Sequence, residues 1–227
     1  MRTEIVIKAM SCVICATDVE YQNIIKYFDI HNQLVLEGSY LVSICYSPPC
    51  IIVRSGIGKK AAYKCLISIL KVHQHISLVF SVGIAGALVP YLNIGDIVCG
   101  NYIIDYDGHS CIEEKKVICI ERECKLLMET IYCGKIVSSN VMVHSEKIKQ
   151  ELCITYQGMC VEMESAGIVR VCELRKIPIT AIKIISDYAN EGAVYKILKS
   201  QIRVCNKLGF LIHEIINTLH LLYGPCF

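Results

Sequence analysis

Apolar runs of strand length alternate with segments of helical spacing along almost all of this 227-residue chain, and that alternation leaves few folds open. Ile5 to Cys15 is a β-branched apolar run, and Val19 to Phe28 has helical spacing. Leu34 to Cys45 and Cys50 to Arg54 read as strands, broken by Pro48-Pro49. A glycine turn, Ser55-Gly56-Ile57-Gly58, leads into a helix over Lys59 to Val72. Leu78 to Val82 reads as a buried strand ending at Gly83, and Ile94 to Cys99 and Val117 to Ile120 as short strands. Arg122 to Tyr132 reads as a helix, Ile136 to Ser138 as extended chain and Glu146 to Leu152 as a helix. The last third is the plainest. Met159 to Met163 is a strand, Ala166 to Arg175 a helix stopped before Pro178, Ile179 to Ile185 a strand, and a long helix closes the chain. Strands joined by helices predict an α/β fold with a mixed, mostly parallel central sheet covered by helices on both faces. No repeat, low-complexity tract or linker interrupts the pattern, so one domain over residues 1–227 is expected.

Composition narrows the function classes. The net charge is +2 and no long basic run occurs, so nucleic acid is not an expected partner. The segment Ile197 to Leu222 is the most apolar, but Lys199, Arg203, Lys207, His213 and Glu214 interrupt it. It reads as an amphipathic helix over a sheet, with no membrane partner. The first residues lack a secretory signal, and the 15 cysteines sit mostly inside apolar runs. Both point to a reducing, cytoplasmic setting in which cysteine acts as a small hydrophobe. Cys12-Val13-Ile14-Cys15 is formally C-x-x-C, but it lies in an apolar strand with no second ligand pair, so core packing is expected and no metal site.

In such sheets ligands bind at the carboxyl ends of strands. Four polar clusters fall there: Asp18-Val19-Glu20, Gly83-Ile84-Ala85-Gly86, Glu162-Met163-Glu164 and Ser186-Asp187. Small residues at 83–86 would let a flat ring or sugar approach the backbone. Glu162 and Glu164 on a strand would share one face, with Met163 opposite. They suit either a sugar-binding face or a solvated helix N-terminus. Asp187 suits either a helix N-cap or a catalytic acid. Ser55-Gly56-Ile57-Gly58-Lys59 has the wrong glycine spacing for a P-loop and reads better as a tight turn than as a phosphate cradle.

Taken in order, these segments resemble the nucleoside phosphorylase/hydrolase superfamily, most of all the 5′-methylthioadenosine/S-adenosylhomocysteine nucleosidases. The resemblance rests on Ala16-x-x-x-Glu20, Ser55-Gly-Ile-Gly-Lys-x-Ala-Ala62, and Gly83-x-Ala-Gly86 followed by Gly95-Asp96-Ile97-Val98. Val137-Ser138, Val161-Glu-Met-Glu164 with Ala166, and Ile184-Ile-Ser-Asp187-x-Ala189 complete it. It implies hydrolysis of the N-glycosidic bond of a purine nucleoside, without cofactor, through an oxocarbenium-like sugar. Asp187 matches the acid that protonates purine N7, and Glu20 the carboxylate that activates water. Glu164 matches the ribose-hydroxyl ligand and Met163 the residue packing on the sugar, beside Glu162. Ser186 would orient Asp187. Val143 matches a backbone contact to adenine, and Met142 falls where an aromatic ring normally stacks. Ala16, Ile84, Ala85 and Gly86 complete the expected substrate pocket. The resemblance also implies a homodimer whose partner subunit closes the pocket with the segment Tyr102 to His109, Tyr106 being the expected lid.

The chain departs from that pattern at several points. The acidic run near the N-terminus is thinned to Asp18-Val19-Glu20, Ile84 replaces a small polar residue and Asn190 a common acid. Ala16-Thr17 and Gly83-Ile84-Ala85-Gly86-Ala87 look more like the futalosine hydrolase branch. Phosphorylases of the superfamily hold phosphate with an Arg and a Ser where this chain has Ser81 and Ile84. Isoleucine donates no hydrogen bond, and a dianion without donors is disfavoured, so hydrolysis is expected over phosphorolysis. A purine nucleoside or uridine phosphorylase is the second reading, and a nucleoside-binding protein without turnover the third.

Overall fold

The computed structural model describes residues 9–37, 39–125, 127 and 130–223. Its centre is a parallel set of four strands in the order β10 (Ile179–Asp187), β5 (Ile76–Ala87), β1 (Met10–Cys15) and β4 (Pro49–Arg54). Along β1, Cys12 and Ile14 point into one apolar layer and Val13 and Cys15 into the other. Both faces are covered, so the strand reads as an unbroken apolar run without polar alternation. The same alternation sends Cys12 and Cys15 to opposite sides of the sheet, so they cannot share a ligand. Ile5 to Lys8, the start of the expected first strand, lie outside the described residues.

Beyond β4 the sheet continues antiparallel through β3 (Tyr40–Tyr46) to β2 (Asn32–Leu36). On the other side it curls into a ring. β6 (Ile97–Tyr106) lies antiparallel to β10 and parallel to β8 (Ile131–Ser139). β8 lies parallel to β9 (Gly158–Glu162), and β9 returns antiparallel to β5. Strands β5, β10, β6, β8 and β9 therefore close on themselves. The joint is Gly86, which pairs with Asp187 on one side and with Val161 on the other. A further strand, β7 (Cys111–Lys116), pairs back on β6.

Helices α2 (Lys59–Val72) and α5 (Ser165–Arg175) cover one face, through Ala62, Leu66, Ile69, Ile168 and Val171. Helices α1 (Asp18–Ile25), α3 (Glu121–Lys125) and α6 (Ala193–Tyr223) cover the other, through Tyr21, Ile24, Cys124, Leu208, Ile212 and Ile215. A smaller cluster joins Leu152 of α4 (Glu146–Ile154) to Tyr106, Val137 and Val143. Among the described residues no helix is long and apolar enough to cross a membrane.

Two local expectations are corrected. Val117 to Ile120 forms no strand; the strand is the preceding segment, Cys111–Lys116, in which half-buried and exposed residues alternate and none is buried. Val117 and Ile120 are apolar because they plug the two apolar layers from a loop. The helix expected over Arg122 to Tyr132 stops at Lys125, and Ile131 and Tyr132 already belong to β8, where they pair with Ile97 and Val98. Of the intervening segment, residues 126, 128 and 129 lie outside the described residues.

Candidate active site

All four polar clusters open on one cavity of about 270 Å³. Glu20 enters it from the first turn of α1, where it stands three residues after the cap residue Thr17 in a capping box. Its Oε2 accepts from the Ala16 and Thr17 amides at 3.0 and 2.8 Å and from the Thr17 hydroxyl at 2.9 Å. Its Oε1 accepts from the Ile84 amide at 2.9 Å, leaving that oxygen free acceptor capacity. Gly83 makes room for it. A Cβ at Gly83 would stand 2.7 Å from Glu20 Oε1.

Asp187 ends β10. Ser186 donates to its Oδ2 at 2.8 Å, and the Ala189 amide to its Oδ1 at 2.8 Å. Burial holds its carboxyl above the usual aspartate range, against the pull of those two donors. Gly86 makes the room here: a Cβ on it would stand 2.8 Å from Asp187 Oδ1. The two glycines of Gly83-x-x-Gly86 thus admit the protein's own carboxylates. Asp187 is not the N-cap of α6, which begins six residues later at Ala193.

Glu162, Met163 and Glu164 do not alternate along a strand. β9 stops at Glu162, Met163 lies in a bend and Glu164 stands at the cap position of α5. The Glu164 carboxyl is not solvated: the Gly58 amide donates to its Oε1 at 2.7 Å. Burial first, and the Glu162 carboxylate next to it, push Glu164 up to about 8. Glu162 has the opposite fate. Burial alone would raise it, but the Lys183 ammonium at 2.9 Å overrides burial and keeps it ionised. Glu162 also accepts from the Glu164 amide and from the Ser165 amide and hydroxyl. It borders the cavity, but its hydrogen-bonding capacity is spent on the start of α5.

Lys183 was not singled out from the sequence. It is fully buried and also donates to Ser81 Oγ at 3.1 Å, which in turn bonds Ser165 Oγ at 2.8 Å. A lone cation in the apolar run Ile179 to Ile185 was the signal available. Lys183 pairs in register with Gly83, so the slot left by the missing side chain brings Glu20 beside it.

The remaining wall is apolar. Ala16, Ile84, Ala85, Gly86, Val161 and Met163 line it, together with Met142 and Val143 from the loop after β8. Thr17, Ile57, Val141, Ile197 and Gln201 also line it, without having been anticipated. The structure thus brings together every residue named for catalysis and substrate binding except the lid. Tyr106 is not available as a lid. It is 2% exposed and packs within the chain against Tyr156, Leu88 and Val143. The Ser55–Gly58 turn offers no phosphate cradle, because its Ser55, Gly56 and Gly58 amides donate to Cys15 O, Ala16 O and Glu164. Arg54 is turned away to Asp18, at 2.6 Å, and to Ser39 O.

A family profile described as "Phosphorylase superfamily" matches residues 11–216. The chain belongs to the phosphorylase superfamily. Among curated members, the 5′-methylthioadenosine/S-adenosylhomocysteine nucleosidase of Baumannia cicadellinicola subsp. Homalodisca coagulata is 27% identical over 188 residues, which cover 74% of this chain and 81% of that one. Among solved structures, the Helicobacter pylori 5′-methylthioadenosine/S-adenosylhomocysteine nucleosidase with butyl-thio-DADMe-Immucillin-A superposes with a TM-score of 0.85 at 20% identity, covering 93% of this chain and 99% of that one. The futalosine hydrolase of Helicobacter pylori gives 0.83 at 21% identity, covering 92% and 97%. The superfamily fold places the carboxylates of Glu20 and Asp187 on one cavity in this member.

Proposed function

We propose that this phosphorylase-superfamily member is a nucleosidase that hydrolyses the N-glycosidic bond of an adenine nucleoside, 5′-methylthioadenosine or S-adenosylhomocysteine. The observation that carries the reading is the pair of carboxyl groups facing one largely apolar cavity in different environments. Asp187 is desolvated and held toward its protonated form. Glu20 is a multiply hydrogen-bonded acceptor with one oxygen still able to take a proton. Two carboxyl groups in contrasting environments supply an acid and a base. As the C1′–N9 bond breaks, its electron pair moves into the purine, and Asp187 delivers a proton to N7. Water adds to C1′ and gives its proton to Glu20. Glu164 takes the ribose hydroxyls, Met163 packs on the sugar, and Met142 and Val143 flank the base. Ser186 keeps Asp187 in orientation. Two of the relatives named above, one curated and one of solved structure, carry this activity in their names, which supports the reading.

Water is the acceptor in this scheme. Ser81 is buried and bonded to Lys183 and Ser165, and Ile84 offers only its amide, already given to Glu20. The test is base release from a nucleoside panel with and without phosphate. Adenine should appear at the same rate without phosphate, together with the free sugar. Strict dependence on phosphate, with a sugar 1-phosphate as product, would refute hydrolysis. Futalosine belongs in the panel, because Ala16-Thr17 and Gly83-Ile84-Ala85-Gly86-Ala87 resemble the futalosine hydrolase branch.

A further inference from the structure

At the opposite ends of β6 and β8 from the cavity, the fold gathers thiols that are far apart in sequence. Cys99 and Cys133 are register partners on these two adjacent strands. The loop after β7 lays Cys119 against both: its Sγ is 3.0 Å from that of Cys133 and 3.8 Å from that of Cys99. Glu121 completes the group. One ligand atom each from Cys119, Glu121 and Cys133 lies within 4.8 Å of the others. Cys124 from α3 packs in the same apolar layer as Cys99.

We infer that Cys99, Cys119, Cys133 and Glu121 form a binding site for a thiophilic d¹⁰ cation of the Zn²⁺ class. Thiolate-rich, four-coordinate donor sets select such ions over Mg²⁺ or Ca²⁺. Among Cys119, Glu121 and Cys133 the spacing is close to what one needs, and Cys99, which lies outside that group, has to turn toward it from beside Cys119. Tetrahedral Zn²⁺ with Zn–S bonds of about 2.3 Å separates its sulfurs by about 3.8 Å. The Cys99–Cys119 pair already has that separation. The Cys119–Cys133 pair has to open by about 0.8 Å, which rotation of the half-buried Cys133 side chain provides.

Each thiol that takes a metal releases its proton to solvent, and no electron is transferred. Cys119 and Cys133 are both half-buried, so an ion can enter from solvent. Cys133 lies six residues before the end of β8, roughly 20 Å along the strand from the cavity side. The site is therefore structural: it ties the loop after β7 and α3 to the β6–β8 pair.

The experiment uses the reduced, metal-stripped protein and Cd²⁺ as probe, followed by its ultraviolet thiolate-to-metal band, with Zn²⁺ in competition. One Cd²⁺ per chain with a three-thiolate band is expected. Cys119→Ser and Cys133→Ser should each weaken binding by more than the about 10–100-fold that an outer-sphere partner costs. Cys153→Ser, a half-buried thiol on α4, should leave binding unchanged. If the serine variants do not fold, the wild type decides by alkylation: stoichiometric Zn²⁺ should shield Cys119 and Cys133 and leave Cys153 open. No stoichiometric site, equal binding by the variants, no shielding by Zn²⁺, or a Cys119–Cys133 disulfide that persists in the reduced protein would each overturn the inference. Base release should not change on stripping the metal, so failure here is separate from failure of the nucleosidase reading.

Discussion

Two acidic side chains in the cavity make opposite demands on a test. Asp187→Asn keeps the shape of the site. The amide oxygen still accepts from Ala189, and Ser186, which also reaches Ala85 O at 3.3 Å, can accept from the new NH₂. The substitution removes a desolvated acid and leaves no buried group unpaired. Turnover of adenine nucleosides should fall by about 10²–10⁴-fold, the usual worth of general acid catalysis. The melting temperature should match or exceed that of the wild type. A stable variant with wild-type kcat would remove Asp187 from the mechanism. Glu20→Gln is a poorer probe, because its NH₂ would face the Ile84 amide, donor against donor. Glu164 makes a prediction about pH. Its folded value, about 8, lies above the ordinary glutamate value of about 4.3 in the unfolded chain. The native state therefore holds the extra proton between these values, and stability is lost as pH rises through that window. Glu164→Gln keeps the acceptor for Gly58 and removes the titration. Its melting temperature should gain on the wild type progressively from about pH 5 to pH 8 and then level off. A constant difference across that range would contradict the raised value. The sequence exposed Asp187, Glu20 and Glu164 because polar residues at strand ends stand out against apolar runs. It hid the division of labour between Glu162 and Glu164, which depends on Lys183 arriving from a different strand.

Elements were legible where one local period decides them. β4, α2, α5 and β10 fall within a few residues of their expected bounds and β1 ends at its expected Cys15, because a continuous apolar run or a helical stripe specifies each. The failures are elements decided by partners distant in sequence. β7 carries Glu113, Glu114, Lys115 and Lys116, and is a strand because β6 offers it an edge and Lys115 pairs with Glu173 of α5. β6 was expected to end near Cys99 but continues to Tyr106, held between β7 and β8. That extension buries Ile104 and Tyr106 on one face and so removes the expected lid. Helix α6 was expected, but its two cavity residues, Ile197 and Gln201, were not, since nothing local marks them off from the rest of the helix. Its packing is set by Gly209, where a Cβ would stand 2.1 Å from the Asn23 carbonyl of α1. Backbone cannot yield as a flexible side chain does, so Gly209→Ala has to push α6 away from α1. Overpacking of this kind costs about 1–3 kcal/mol, which for a protein of this size lowers the melting temperature by about 2–12 °C. Because α1 carries Glu20 and α6 carries Gln201, kcat/KM should fall with it. An unchanged melting temperature would mean that the two helices do not pack this closely.

At the scale of the whole molecule, the cavity rim is unfinished. Ile57 and Val141 line it and are 63% and 58% exposed. Ile112 of β7 is 56% exposed and shares a neighbouring groove with Asn140, next in sequence to Val141. A patch of this composition on one side of a binding site suits coverage by another protein surface. We predict that a second copy of the chain supplies it, with Ile112 near the contact and the β6–β7 hairpin closing the partner's cavity in place of the buried Tyr106. A two-fold interface places the same patch on both subunits, so a single substitution acts twice. Ile112→Asp buries no new charge in the monomer, because the side chain is already exposed, and it is not among the residues lining the cavity. Light scattering at micromolar concentration should show a dimer for the wild type and a shift toward monomer for Ile112→Asp. The variant should lose more in KM than in kcat, since the acid, the base and the sugar ligand all come from one chain while the rim that retains substrate does not. A wild-type monomer with full activity would overturn the prediction. So would an Ile112→Asp variant that stays dimeric with an unchanged KM, because the contact would then lie elsewhere on the surface.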